Sequence, residues 1–157
     1  MNSKVEMPAS FHFKELLRKL NDLQVRYLIV GAYAVMKYTE PRYTKDLDIW
    51  VDVTPDNADR VFKALAEFGA PMTDVTVEDF TNPELIFQIG IEPHRIDVMM
   101  QVKGLDFSQA WSHRVETKLE DVAIVLVSKE DLLISKTAAG RPQDLIDAAQ
   151  LRKSDEI

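Results

Sequence analysis

Hydrophobic and polar positions along this chain follow two periods, and the switches between them mark out the elements. In residues 11–23, Leu16, Leu17, Leu20 and Leu23 recur at helical spacing, with Lys14, Glu15, Arg18, Lys19 and Asp22 around the other side. That spacing predicts an amphipathic helix lying over a core. Residues 25–30, VRYLIV, are rich in β-branched and aromatic side chains and predict a first strand. The strand runs directly into Gly31-Ala32-Tyr33-Ala34-Val35-Met36, which reads as the start of a helix. Residues 45–52 change to period two: Leu47, Ile49 and Val51 alternate with Asp46, Asp48, Trp50 and Asp52. In a strand, successive side chains point to opposite faces, so the aliphatic trio enters a core while Asp46 and Asp48 stand together on the other face.

The second half repeats these signals. Thr54-Pro55 supplies an N-cap and a first-turn proline for a helix bearing Ala58, Val61, Phe62, Leu65 and Phe68, which Gly69 and Pro71 end. Residues 71–83 read as a polar, acidic connection. Residues 84–91 and 94–100 predict two strands of a hairpin, joined by a Glu92-Pro93 turn. In the second, Ile96, Val98 and Met100 face one way, and Arg95, Asp97 and Met99 the other. A short helix is expected over 106–113, with Trp111 as a core or rim anchor, then strand material over 115–127, clearest at 122–127. Ser128-Lys129-Glu130-Asp131 fits a capping box opening a helix that runs past Leu132, Leu133 and Lys136 to Ala138-Ala139-Gly140. Arg141-Pro142 begins a last helix over 143–152. The order predicts one α+β domain over 1–157, a small mixed β-sheet with helices packed mainly on one face.

Composition narrows the chemistry. With 157 residues, 46% hydrophobic and 29% charged, the chain can build one ordinary core. It has no cysteine, which excludes disulfides, thiolate catalysis and Cys-based metal sites. A net charge of −7 argues against general nucleic-acid binding through a basic surface. The longest nearly apolar run, residues 27–36, is well short of the about 20 residues that span a bilayer. The N-terminal stretch also lacks the apolar core of a secretory leader, so a cytoplasmic protein without membrane contact is expected.

Candidate chemistry centres on the acids. Close carboxylates repel, so one pKa should rise unless a cation sits between them. A hard divalent cation, Mg²⁺ or Mn²⁺, relieves that repulsion and keeps sites for phosphate oxygens. Asp97 is a further acid on a strand with apolar neighbours, much like Asp46 and Asp48. If its strand lies beside theirs, all three acids converge on one sheet face. The small-residue turn at Gly31 and Ala32 leaves helix N–H groups able to face a phosphate, or simply lets the helix pack close to the sheet. Arg42, Thr44 and Lys45, after the helix-breaking Pro41, could hold phosphate or form surface ion pairs. Lys136, Arg141 and Asp144 form another polar set, readable also as ordinary helix-end electrostatics. Together these are the parts needed for metal-assisted phosphoryl or nucleotidyl transfer. Asp-x-Asp phosphatases of the haloacid dehalogenase type place the motif after a strongly apolar strand, which Arg42-Tyr43-Thr44-Lys45 is not. Asp-x-Asp glycosyltransferases generally need a larger nucleotide-binding domain.

The motifs Val30-Gly31-Ala32-Tyr33-Ala34, Thr44-Lys45-Asp46-Leu47-Asp48-Ile49 and Ile96-Asp97-Val98 occur in the order of the DNA polymerase β-like nucleotidyltransferase superfamily, which the chain resembles over roughly residues 27–151. Lys136 with Arg141-Pro142-Gln143-Asp144 further resembles the small AbiEii-like branch. The resemblance implies that Asp46 and Asp48 bind the metal and, through it, an NTP. Asp97 would complete the metal site and help deprotonate an acceptor hydroxyl on a small molecule, a tRNA or a protein. Gly31 and Ala32 would cradle phosphate, and Lys136, Arg141 and Asp144 would lie near nucleotide or acceptor. Ala32 departs from the family's Gly or Ser, which removes a hydroxyl contact but keeps the backbone N–H. The resemblance also implies a possible toxin–antitoxin setting, with a protein partner or homodimer. The alternative is a nucleotidyltransferase-fold protein that binds nucleotide or a partner without turnover.

Overall fold

The computed structural model describes residues 9–40, 46–90 and 94–154. The element order is α1 (Ala9–Asp22), β1 (Tyr27–Val30), α2 (Gly31–Tyr38), β2 (Asp46–Val51), α3 (Pro55–Phe68), β3 (Ile86–Ile89), β4 (Arg95–Met99), α4 (Phe107–Ser112), β5 (Val115–Leu119), β6 (Val122–Leu126), α5 (Lys129–Ala139) and α6 (Pro142–Ser154). The six strands form one mixed sheet in the order β3-β4-β2-β1-β6-β5. β1 runs antiparallel to β2 and parallel to β6, while β2 runs parallel to β4. β3–β4 is an antiparallel hairpin, as the sequence predicts, and the strand material over 115–127 forms a second antiparallel hairpin, β5–β6. The expected Glu92-Pro93 turn lies outside the described residues. No helix among those described is long and apolar enough to cross a membrane.

One sheet face is apolar across β1, β2, β4 and β6. Tyr27, Ile29, Leu47, Ile49, Val51, Ile96, Val98, Ile124 and Leu126 are all buried on it. Helices α1 and α3 close over that face, led by Leu16, Leu17, Leu20, Val61 and Leu65. Each such side chain contributes about 2 kcal/mol on leaving water. A polar tie also fixes the placement: the Tyr27 hydroxyl donates to Asn21 Oδ1 at 2.9 Å. The boundaries of α3 follow their caps. Thr54 Oγ1 accepts from the Asn57 N–H at 3.4 Å, and Gly69 ends the helix in the left-handed region at φ +100°.

Two local readings need correction. Residues 71–83 are more than a polar connection. They hold a 3₁₀ turn, Val77–Thr81, with a reciprocal capping box between Thr76 and Asp79. The turn buries Phe80 edge-on between Phe62 and Phe87, with centroids 6.4 and 5.7 Å away. At α5, Ser128 does cap the helix, accepting from the Asp131 N–H at 3.1 Å. The Asp131 carboxylate, however, lies 3.1 Å from His113 Nδ1, which ties the helix start to the end of α4.

Asn57 is the polar rivet of the fold. Its buried amide accepts from the Arg26 N–H at 2.7 Å and donates to the carbonyls of Arg26 at 3.1 Å and Asp52 at 2.8 Å. These bonds join the start of α3 to the start of β1 and the end of β2. Asn57→Ala removes the side-chain partner of the Arg26 N–H and of the Asp52 carbonyl, while the Arg26 carbonyl keeps the Asp52 N–H at 3.2 Å. It should lower unfolding free energy by about 2–4 kcal/mol in urea titrations, whereas Asn57→Asp should cost less near pH 4 than near pH 8.

Candidate active site

Parallel pairing of β2 with β4 sets Asp48 directly beside Asp97, and Asp46 beside Arg95. Because side chains alternate, these four groups share the face opposite the apolar core. The condition attached to the acids in the sequence is thereby met: their strands are neighbours, and Asp46, Asp48 and Asp97 share one sheet face. On the other flank, Val30 of β1 pairs with Asp48, and Gly31 follows at once. Gly31 has φ +72°, and a Cβ added there would lie 2.1 Å from Asp48 Oδ2. Only glycine satisfies both the backbone and the space. The first turn of α2, with Gly31 and Ala32, therefore abuts the carboxylate row.

Both expected responses to crowded carboxylates occur. Arg95 sits between two of the acids: its Nε donates to Asp97 Oδ1 at 2.9 Å, and its Nη2 reaches Asp97 Oδ2 at 3.3 Å and Asp46 Oδ2 at 3.4 Å. Asp48 is pushed up to about 6, first by burial and then by the charges of Asp97 and Asp46. Lys136 and Arg95 pull it the other way. The sequence reading placed Arg95 on the right face but gave it no role. The signal was its i, i+2 spacing from Asp97.

The C-terminal set is also assembled. Asp144, 1% exposed, accepts from Arg141 Nε at 2.5 Å and Nη2 at 3.1 Å, and from Lys136 Nζ at 3.3 Å. Those bonds, Arg141 first, hold its carboxyl below the usual range. Lys136 also reaches Asp147 Oδ2 at 3.2 Å. Asp147 was missed, although its place three residues beyond Asp144 puts both on one face of α6. The electrostatic influence of Lys136 on Asp48, and of Asp48 on Arg141, sets this cluster near the acid row. Arg42, Thr44 and Lys45 lie outside the described residues.

Next to the acids, Trp50 continues the same face. It is 2% exposed and meets the Phe107 ring edge-on at 5.0 Å, and its Nε1–H has no hydrogen-bond acceptor among the described residues. Phe107 stacks on Trp111 at 5.8 Å, and the Arg114 guanidinium lies 4.3 Å from the Trp111 ring centre. Trp111 is thus the expected anchor, at the rim of an aromatic stack.

The donor set suits a hard divalent cation in kind: carboxylate oxygens with surplus negative charge. As the side chains stand, Arg95 supplies the countercharge. Among the described residues no three Asp, Glu or His groups close on one point. Accommodating a metal ion would therefore require Arg95 to give up part of its hold on Asp46 and Asp97.

Two substitutions test this geometry. Gly31→Ala should cost about 1–3 kcal/mol of stability through the left-handed backbone and the displaced Asp48, read by thermal melting. Asp48→Asn should act oppositely in metal-free protein. The folded pKa of about 6 exceeds the ordinary 3.8, so the native state resists charging this group. Wild-type stability is lost as pH rises through that window, and the amide avoids the loss. The expected gain is about 2–3 kcal/mol near pH 7.5 and about 1 kcal/mol near pH 4.5, by urea unfolding at the two pH values.

Comparison with known proteins converges on one description. A family profile for a nucleotidyltransferase of unknown function (DUF6036) matches residues 10–156. No curated protein matches the chain. Among solved structures, a lincomycin-bound lincosamide antibiotic adenylyltransferase, LnuA, is similar, with TM-score 0.59 and 18% identity over 92% of this chain and 96% of that one. A putative nucleotidyltransferase from Thermotoga maritima gives TM-score 0.57 and 14% identity, over 90% of this chain and 88% of that one. An antigenic nucleotidyltransferase-like protein from Paracoccidioides brasiliensis gives 0.53 and 17%, over 91% and 74%. At these identities the structures show the shared fold. With the profile spanning nearly the whole chain, this protein belongs to the DUF6036 family of nucleotidyltransferases.

Proposed function

We propose that this protein moves a nucleoside monophosphate from an NTP to a hydroxyl of a small acceptor and releases pyrophosphate. The observation that carries the reading is the juxtaposition of Asp48 with Asp97 on one flank and with the Gly31 turn on the other. Phosphates laid along the first turn of α2 meet its N–H groups, and the dipole favours their charge. Ala32 offers its N–H there but no hydroxyl. Asp46, Asp48 and Asp97 would hold a divalent cation, Mg²⁺ or Mn²⁺, which supplies charge neutralisation for the phosphates when bound. The acceptor oxygen forms a bond to the α-phosphorus, the bond from that phosphorus to the bridging oxygen breaks, and pyrophosphate leaves with the electron pair. Asp97 receives the acceptor proton. Lys136 and Arg141, already oriented by Asp144 and Asp147, place positive charge beside the developing negative charge.

Likeness to a small-molecule transferase supports a small acceptor. The lincosamide adenylyltransferase, whose name assigns it a small-molecule substrate, is matched over 96% of its own length. The Lys136, Arg141 and Asp144 cluster supports a place in the AbiEii-like branch, and with it a role beside an antitoxin partner. A second reading, nucleotide binding without turnover, is favoured by Ala32 and by the way Arg95 already satisfies two acids.

Calorimetric titration of ATP, CTP, GTP and UTP with and without Mg²⁺ separates these readings. Mg²⁺-dependent binding of at least one nucleotide is expected, falling about 100-fold or more (on the order of 3 kcal/mol) in Asp46→Asn/Asp48→Asn. Pyrophosphate release with a polyhydroxylated acceptor panel then distinguishes transfer from binding. Folded wild-type protein that takes up no nucleotide sinks both readings.

A further inference from the structure

Arginine is the one countercharge that loss of a proton cannot remove. A histidine or lysine among the acids could become neutral and leave the carboxylates to a metal ion, whereas a guanidinium stays charged at every physiological pH. Arg95 therefore clears the acids only by moving. Its Nε and Nη2 fork onto both oxygens of Asp97, and Nη2 also reaches across to β2, onto Asp46 Oδ2. These are oxygens a divalent cation would use. The side chain has room to leave them, being 32% exposed. Lys136 differs in this respect: it is 12% exposed and held by both Asp144 and Asp147.

Where Arg95 can go follows from the strand order. Arg95 pairs with Asp46, Asp46 lies one pleat from Asp48, and Asp48 pairs with Val30 just before the Gly31 turn. The guanidinium already reaches over β2, so the flank where that turn abuts the acids is about one strand spacing away, roughly 5 Å. A planar fork that matches a carboxylate also matches a phosphate. We infer that Arg95 has two alternative ligands, the carboxylates of Asp46 and Asp97 as seen here and the phosphates of a bound nucleotide, so that phosphate uptake is what opens the acids to a divalent cation. The second ligand rests on the nucleotide reading above; the first does not. Before phosphate arrives, Arg95 covers carboxylate oxygens and sets a like charge against the cation. Afterwards the same charge lies on the ligand. Cation and nucleotide then raise each other's affinity by one common factor, as linkage requires, and Arg95 carries part of that factor.

The test uses the full chain and two probes that are independent of the base. Mn²⁺ alone is followed by loss of its free EPR signal, and inorganic tripolyphosphate without metal by calorimetry. Arg95→Gln should bind Mn²⁺ at least about tenfold tighter than wild type, because a like charge is gone, and tripolyphosphate at least about tenfold weaker, because the fork is gone. A site that had only lost its shape would lose affinity for both probes, so the opposite signs report on Arg95 itself. Arg95→Lys keeps the charge without the fork. It should hold Mn²⁺ within about threefold of wild type and still bind tripolyphosphate about fivefold weaker. Thermal melting establishes that each variant is folded. Mn²⁺ affinity unchanged or lowered in folded Arg95→Gln, or tripolyphosphate affinity unchanged in either variant, would overturn the inference. Tightened Mn²⁺ binding with no tripolyphosphate uptake by wild type or variant would remove the nucleotide reading and leave Arg95 as the counter-ion of the acids alone.

Discussion

Repulsion among carboxylates on adjacent strands is the constraint around which this structure is arranged. The parallel β2–β4 pairing places Asp48 and Asp97 side by side, with Asp46 one pleat away. Nothing in the packing of a core asks for this. It is tolerated because the opposite face of the same strands buries Leu47, Ile49, Ile96 and Val98, and a register slip by one residue would turn that row outward. The hydrophobic face therefore enforces the electrostatic one. The remaining polar devices answer the resulting charge: Arg95 from within the sheet, Lys136 and Arg141 from the C-terminal helices.

Much of this was legible in the residues. Alternation in 45–52 and 94–100 put each acid on its face, and the caps at Thr54 and Gly69 bounded α3 closely. The β3–β4 hairpin was legible, but the pairing of β2 with β4 was not. β2 and β4 are separated in sequence by α3, the 3₁₀ turn and β3, and alternation within one strand carries no information about which strand lies beside it. The salt bridges of Arg95 depend on that pairing, so they were hidden with it. The rivet at Asn57 was hidden for another reason: its partners are backbone groups of Arg26 and Asp52, which any sequence supplies. Phe80 stood in a polar stretch whose composition outweighed one aromatic.

The C-terminal helices show how the same residue types can be read two ways. Lys136, Arg141 and Asp144 satisfy ordinary helix-end electrostatics, and Asp144 is buried and fully engaged in doing so. That engagement is what gives the cations a fixed position near Asp48. A charge held in place by its own partner costs less to use than one on a mobile stem, because its ordering is complete before any ligand arrives.

Arg95 changes what a binding constant would mean here. With its guanidinium on Asp46 and Asp97, the resting site is already partly neutralised, so an incoming cation exchanges with a resident one instead of filling a void. Its apparent affinity is then the difference between two sets of oxygen contacts, and a modest value would be compatible with a well-formed site. The exchange also links occupancy to shape. An arginine released from the carboxylates is a long cation on the edge of the acid row, free to meet whatever anion the ion brings with it.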